Sequence, residues 1–385
     1  MERVMAWAGV PPEGALERLS VICAHCNAKL TPAQMDYACR EEALVPSLRA
    51  AFRPLRRDDA TNEFLMRSSR RPHVVNWASS VACTYLRRSM SLTDANAILG
   101  RGKMHVLSEE QARDLLSPEA TANEGGDRRR DGGDVAARRD ENEPSRPSPA
   151  RRPRVLLDVG AGEGAVTQNL RAGGGFDAVV ATEASAPMVA ALRRRSFDAV
   201  VESTRVSAAT RAARTAGIDL GPEDAFDAVA LMNVLDRCDE PFTLLADLRK
   251  LVKPVTGRLV LAVVIPFRPF VERADGNAPP RERLPLPSDG AWEAGVNALY
   301  ERVLVPSGFE AERLARVPYI CEGDQRHGAY ILDDAVFVLR ATDRTSEDPT
   351  EEGREGTEAA RERENGRRAR QAEPRDDVNA ADAFG

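Results

Sequence analysis

The chain has 385 residues, 30% of them charged and only 5% aromatic, with a formal net charge of −6. That balance excludes a basic nucleic-acid-binding face, and the low aromatic content excludes a stacking platform for single strands. No apolar run approaches the roughly 20 residues that span a bilayer, and Met1 to Gly14 lacks the basic start and continuous apolar core of a signal peptide.

Six cysteines spread over so long a chain read as reduced thiols of an intracellular, cytoplasmic protein. Cys23-Ala24-His25-Cys26 resembles half a zinc site, but a zinc site needs two more well-placed ligands and no second Cys-x-x-Cys pair exists, so no metal is expected.

In chain order, residues 1–73 form a poorly defined N-terminal region whose apolar clusters are broken by Pro and charge. Val75, Ala78, Val81, Ala82, Tyr85 and Leu86 then recur at helical spacing and predict an amphipathic helix. Leu99-Gly100-Arg101-Gly102-Lys103-Met104 is a tight basic turn, and Ser108-Glu109-Glu110-Gln111 reads as a capping box opening a helix through Leu116. Residues 74–117 are thus a helical layer, packed on the main domain or closing over a cleft. Residues 118–152 and 342–385 are charged tracts with too little apolar surface to offset the entropy of ordering, and are expected to be disordered; Arg128-Arg129-Arg130 lies in the first, among Asp and Gly, as solvated linker.

Between them, 153–341 alternates strand and helix patterns. Val155–Val159 predicts a first strand, Ala165–Arg171 its helix, Ala178–Thr182 a second strand ending on Glu183, and Pro187–Arg194 a helix with Pro near its first turn. Ala199–Val201, Ala228–Met232 and Leu259–Val264 follow as strands, with Phe242–Leu251 and Trp292–Val305 as helices. Glu312–Val317 and Ala335–Leu339, separated by a loop alone, should pair antiparallel.

The chemistry gathers at the strand ends. Asp158-Val-Gly160-Ala-Gly162-Glu-Gly164 follows a buried strand directly, and glycines there let the backbone approach a ligand while the next helix aims its N–H groups at it. Nucleotide-binding enzymes of several kinds use such a turn, so the motif alone does not choose among them. Glu183 ends the second strand, where a carboxylate accepts hydrogen bonds from ribose hydroxyls. Asn233 and Asp236 follow the fourth strand, again at the ligand edge of an open sheet; Asp236 or Asp239 could instead cap the next helix. No Asn-Pro-Pro-Tyr segment follows that strand, which counts against methylation of a nucleobase amine.

Downstream segments narrow the choice. Asn233-Val-Leu-Asp236-Arg237-Cys238-Asp239, Pro266-Phe267-Arg268-Pro269-Phe270-Val271-Glu272, Pro318-Tyr319-Ile320-Cys321-Glu322-Gly323-Asp324 and Tyr330-Ile331-Leu332-Asp333-Asp334-Ala335 closely resemble the DREV (methyltransferase-like) family of protein-histidine N-methyltransferases. The likeness runs from about Val74 to Arg340, apart from the charged insertion. It implies an α/β fold, the class I seven-stranded, Rossmann-like methyltransferase sheet, with S-adenosylmethionine as cofactor. It also implies methyl transfer to N1 (pros) of histidine in His-x-His motifs of protein substrates. By this resemblance Asp158, Gly160, Gly162, Glu183, Asn233 and Tyr319 hold the cofactor, Asp236 and Tyr330 face the substrate, and Asp236 with Asn233 is catalytic. Family members in animals carry an apolar N-terminal segment that is absent here, so the resemblance alone would allow the endoplasmic reticulum or the mitochondrion. A monomer is expected. Other readings are a methyltransferase of another side chain or a small molecule, and a cofactor-binding scaffold without turnover. The chain's own histidines, His25, His73, His105 and His327, form no His-x-His motif.

Overall fold

A computed structural model describes residues 21–23, 29–30, 35, 37–69, 73–117, 152–273, 276–323, 327 and 329–342. The two charged tracts lie outside these residues, save Arg152 and Thr342 at their edges, and so does most of the Cys-Ala-His-Cys segment. All described residues fall in one compact unit, Met1–Thr342.

The N-terminal part contributes β1 (Val21–Cys23), β2 (Lys29–Leu30), α1 (Pro46–Ala51), α2 (Asp59–Ser69), α3 (His73–Leu86), α4 (Leu92–Ile98), β3 (Met104–His105) and α5 (Glu109–Leu116). The main domain follows with β4 (Val155–Val159), α6 (Ala165–Gly174), β5 (Ala178–Glu183), α7 (Ala186–Arg193), β6 (Ala199–Glu202), α8 (Ser207–Thr215), β7 (Ala228–Met232) and α9 (Pro241–Leu251). It continues through β8 (Arg258–Val264), a hairpin of β9 (Val271–Arg273) and β10 (Gly276–Ala278), α10 (Trp292–Leu299), β11 (Phe309–Glu322) and β12 (Ala329–Ala341).

Seven strands run in the order β6-β5-β4-β7-β8-β12-β11, parallel from β6 to β8, with β12 antiparallel to both β8 and β11. This is the class I methyltransferase order that the sequence predicts. β4 is buried at every position, as a central parallel strand covered on both faces must be, which is why it reads as an unbroken apolar run. Three short strands extend the sheet: β3 on β11, and β1 with β2 along the early part of β12.

The N-terminal region is better ordered into the core than its sequence suggests. Leu44, Leu48 and Phe52 join the core of one sheet face, and Glu293 and Asn297 of α10 accept from the backbone N–H of Arg40 (2.8 Å) and Val45 (3.0 Å). The capping box on α5 forms as predicted, Ser108 and Gln111 each accepting the other's backbone N–H. Buried Arg313, beside a bulge in β11, closes the other end of α5 by donating to the Leu115 carbonyl at 2.7 Å.

Two expectations change. Of the stripe predicted on α3, Val81 and Tyr85 are exposed together with Trp77, while Ala82 and Leu86 are half-buried. The helix docks instead through small residues, with buried Cys83 reaching Asn96 Oδ1 of α4 and Ser80 Oγ accepting from Arg101. A docking face made of small and polar side chains adds nothing to an apolar pattern, so the stripe read from the sequence does not mark it. The second change is α8, which the pattern missed because it buries only Ala209 and Ala213, a face too small to stand out.

Among the described residues no helix is long and apolar enough to cross a membrane, and no group of three or more His, Cys, Asp or Glu could hold a metal ion.

Candidate functional site

The site is built on the carboxyl ends of β4, β5 and β7, where an open α/β sheet offers its ligand crevice. After β4 the chain turns through Gly160 and Gly162, at φ +73° and +56°, a region L side chains rarely adopt. The two glycines have different reasons. A Cβ on Gly160 would lie 2.6 Å from Val234 Cγ2, so that turn is tight against the loop after β7. A Cβ on Gly162 would meet nothing within 4 Å, so its surroundings are open to a ligand. Gly160→Ala should therefore lower the melting temperature more than Gly162→Ala, and Gly162→Ala should be the greater loss in cofactor affinity relative to its effect on stability. Paired melting curves and calorimetric titrations check this; the reverse ranking would misplace the cleft.

Glu183, at the end of β5, binds the glycine turn from below. Its Oε2 accepts from Gly162 N (2.9 Å), and Oε1 accepts from Ala184 N (2.8 Å) and Ser185 N (2.9 Å). An ionised carboxylate has about four acceptor positions. Three are used by the protein, so Glu183 retains about one for a ligand. Ser185 in turn caps α7 and donates to Asp94 of α4 at 2.5 Å, while Leu92 N and Thr93 Oγ1 donate to Glu272 of β9. The start of α4 thus spans from the β5 loop to the segment beyond β8, and the helical layer flanks the cleft.

Asp158 lies under the glycine turn. Thr167 of α6 donates to its Oδ2 at 2.5 Å, while its Oδ1 is buried without a partner. Burial, and to a lesser degree the charge of Glu183, pushes its carboxyl up to about 7 against the Thr167 hydrogen bond.

The loop after β7 carries Asn233 and Asp236. Asn233 stands at φ +57°, in the left-handed region where Asn is among the few tolerated side chains. Buried Leu235 anchors the loop in the core, and Phe270 N donates to the Asp236 carbonyl at 3.0 Å. Asp236 is 3% exposed; its Oδ2 is 3.4 Å from the Arg237 guanidinium, which lies over the Phe270 ring, and its Oδ1 has no partner. Burial raises its carboxyl above the usual range and Arg237 opposes that. Neither Asp236 nor Asp239 caps α9. Glu282 does so, accepting from Phe242 N (2.7 Å) and Thr243 N (3.1 Å), while Asp239 pairs with Arg281.

The sequence reading missed Asp334 on β12. It is fully buried, faces Val264 at the end of β8 and accepts from Asn233 Nδ2 at 2.7 Å. The available signal was the pair Asp333-Asp334 at the entry to the apolar run Ala335–Leu339, which does not say which of the two matters. The pairs Val317/Asp334, Tyr319/Leu332 and Cys321/Tyr330 share one face of the β11–β12 ladder. That face brings Tyr319 toward Asp334, and burial above all, with Cys321, Asp334 and Asp236 nearby, holds its hydroxyl well above the ordinary value. The Tyr319 hydroxyl itself rests on Met104 Sδ of β3. Tyr330 is four residues before Asp334, roughly 13 Å along the strand at about 3.3 Å per residue, and its ring meets His327 edge-on at 5.6 Å. Asp158, Gly160, Gly162, Glu183, Asn233 and Asp236 stand at the carboxyl ends of the neighbouring strands β5, β4 and β7; Tyr319 lies on β11, and Tyr330 is farther from Asp334 along β12. His105 is a packing residue, stacked on Phe64 and 3.2 Å from Thr61 Oγ1.

The strand ends suit a ligand that brings hydrogen-bond donors and positive charge. Three carboxyl or amide oxygens at the strand ends, Asp158 Oδ1, Asn233 Oδ1 and Asp236 Oδ1, are buried without donors, and the space at Gly162 is open.

The family model described as DREV methyltransferase matches residues 36–139 and 137–341. Among solved structures, the chain is similar to the Burkholderia thailandensis 1,6-didemethyltoxoflavin-N1-methyltransferase, crystallised with 1,6-didemethyltoxoflavin and S-adenosylhomocysteine, at 21% identity, covering 50% of this chain and 72% of that one with a TM-score of 0.31. It is also similar to a ribosomal protein L11 methylase from Lactobacillus delbrueckii subsp. bulgaricus, at 12% identity, 50% and 72% coverage and a TM-score of 0.30. A third is a putative methyltransferase of Haloferax volcanii in complex with the Trm112 methyltransferase activator, at 13% identity, 50% and 85% coverage and a TM-score of 0.31. At such scores nothing of their substrates or partners transfers to this chain.

Proposed function

The chain belongs to the DREV methyltransferase family, and from that premise we propose that it is a protein-histidine N-methyltransferase acting on N1 (pros) of histidine in His-x-His motifs. The observation that carries the reading is Asp236: a buried carboxyl with one unpartnered oxygen, held at the carboxyl end of β7 by Leu235 and Phe270.

When bound, S-adenosylmethionine supplies an electrophilic methyl whose bond to sulfur breaks, its electron pair staying on sulfur, as the new N–C bond forms. Asp158, Gly160, Gly162, Glu183 and Asn233 would hold it, with Tyr319 beside it. The acceptor needs little activation: imidazole has an unperturbed pKa of about 6.5, so at neutral pH its ring nitrogen carries a free lone pair. The protein's tasks are then orientation and tautomer choice. Asp236 Oδ1, accepting Nε2–H, fixes the proton on that nitrogen and turns Nδ1, the pros nitrogen, toward the methyl. Once the ring is methylated and cationic, the same carboxylate stabilises it and takes the Nε2 proton. A carboxyl raised by burial suits this, because it is a stronger base than an exposed one. Tyr330 belongs to the outer, substrate side of the crevice.

The test is transfer of labelled methyl to a His-Ala-His peptide beside variants with each histidine replaced by alanine. Label confined to peptides that retain the motif, and identified as the pros isomer against methylhistidine standards, is the expected result. Label on the double-alanine peptide, or none on any histidine while a cell extract is labelled elsewhere, would overturn the reading in favour of another acceptor.

A further inference from the structure

Resting on that reading, the geometry assigns Asp334 as a positioning residue: its carboxyl holds the Asn233 amide by the nitrogen, so that Asn233 Oδ1 is presented to the ligand crevice as a fixed acceptor.

An amide side chain can turn over, exchanging its oxygen for its nitrogen, and which end faces a ligand is decided by the partner at the other end. Here that partner is an acceptor, Asp334 Oδ2, 2.7 Å from Asn233 Nδ2. With the nitrogen so engaged, Oδ1 must face the other way, where it is buried and has no protein donor. A buried acceptor without a donor costs stability in the free protein, and a nitrogen–hydrogen group of a bound ligand removes that cost. The backbone limits the alternatives, since φ +57° at Asn233 fixes the direction from which its side chain leaves the chain.

Asp334 is suited to this role because it is immobile. It sits on the central part of β12, between β8 and β11, paired with Val264 on one side and Val317 on the other. The fully buried carboxyl, with Oδ1 also unpartnered, is held well above the ordinary carboxylate range by desolvation, and the nearby Asp236 pushes it the same way. Its Oδ2 is the acceptor for Asn233 Nδ2. Asparagine is isosteric with it, and the asparagine carbonyl can receive Asn233 Nδ2 in the same place.

The experiment compares full-length Asp334→Asn, Asp334→Leu, Asn233→Ala and the Asp334→Leu/Asn233→Ala double variant. Affinity for S-adenosylhomocysteine is measured by calorimetry, and kcat with KM for the His-Ala-His peptide by methyl transfer. Asp334→Asn should keep both within about threefold of the wild type, whereas Asp334→Leu should lose roughly as much as Asn233→Ala, and the double variant no more than either alone, because the two residues act as one unit. A purely structural Asp334 would instead give losses that multiply in the double variant. An Asp334→Asn as impaired as Asp334→Leu would show that the charge, not the orientation, is used. Either result overturns the assignment, as does an Asp334→Leu of native affinity and rate. Should Asp334→Leu fail to fold, the exchange Asn233→Asp with Asp334→Asn decides: it restores the hydrogen bond with donor and acceptor interchanged and again leaves an oxygen facing the crevice. It should recover at least about tenfold of the affinity lost in Asn233→Asp alone, and no recovery overturns the assignment. If the wild type methylates no histidine peptide, the histidine reading falls, and the binding series still decides on Asp334.

Discussion

Asp236→Asn should retain cofactor binding and lose methyl transfer by about a hundred-fold or more, a conservative figure beside the roughly ten-thousand-fold lost when the orienting carboxylate of a hydrolase triad is made an amide. The amide can present an N–H where the imidazole needs an acceptor, and it cannot stabilise the positive charge that develops on the ring. The residual product should also be less selective between the two ring nitrogens. A second consequence concerns pH. Burial raises the Asp236 carboxyl and Arg237, 3.4 Å away, restrains that rise. The group accepts a proton only when ionised, so the wild-type rate should fall as pH drops through the raised value, in addition to the loss as the substrate imidazole becomes protonated near pH 6.5. In Asp236→Asn only the substrate's limb should remain. Near-native rates with unchanged pros selectivity would remove Asp236 from this role.

The parts of this site legible in the sequence are those where one residue type is required locally. A glycine turn between a buried strand and a helix needs Gly160 and Gly162 at positive φ, and both the motif and the geometry agree. Strand boundaries in the parallel sheet were readable for the same kind of reason: β4 and β7 lie where the apolar runs are, because each is covered on both faces. The edge of the sheet was less legible. β11 and β12 run well past the predicted Glu312–Val317 and Ala335–Leu339, since their outer halves pair with each other and with β1 and β3, and such partly covered strands need no continuous apolar pattern. Glu183 was placed correctly at the end of β5, yet its three backbone hydrogen bonds depend on how two separate turns fold around it. Asp334 is the extreme case. Its meaning lies in a contact with Asn233 across 101 positions, and nothing local distinguishes it from neighbouring Asp333, which points to the opposite face and pairs with Arg316.

Asp158 carries the second large effect, on stability rather than rate. Its carboxyl stands at about 7 in the fold, against about 3.9 in an unfolded chain. The folded protein therefore keeps a proton that the unfolded chain releases between about pH 4 and pH 7. The sign follows: the stability associated with this group is fully present below about pH 4 and is lost as pH rises to about 7, beyond which the loss is constant. Three pKa units correspond to about 4 kcal/mol as an upper estimate, or several degrees of melting temperature for a domain of this size. Asp158→Asn removes the titration and keeps an oxygen for the Thr167 hydroxyl. It leaves a buried N–H group without an acceptor, a cost of about 1–3 kcal/mol that does not vary with pH. The variant should thus be the less stable protein near pH 4 and should gain steadily on the wild type up to pH 7, overtaking it at the alkaline end. Melting curves of the cofactor-free proteins between pH 4 and pH 8 measure the difference directly, and a difference that stays flat across that range would show that Asp158 is already ionised in the fold. The stability forgone at neutral pH is the consequence of burying an acid under the glycine turn, where the Thr167 hydrogen bond already favours its ionised form and a cationic ligand would favour it further.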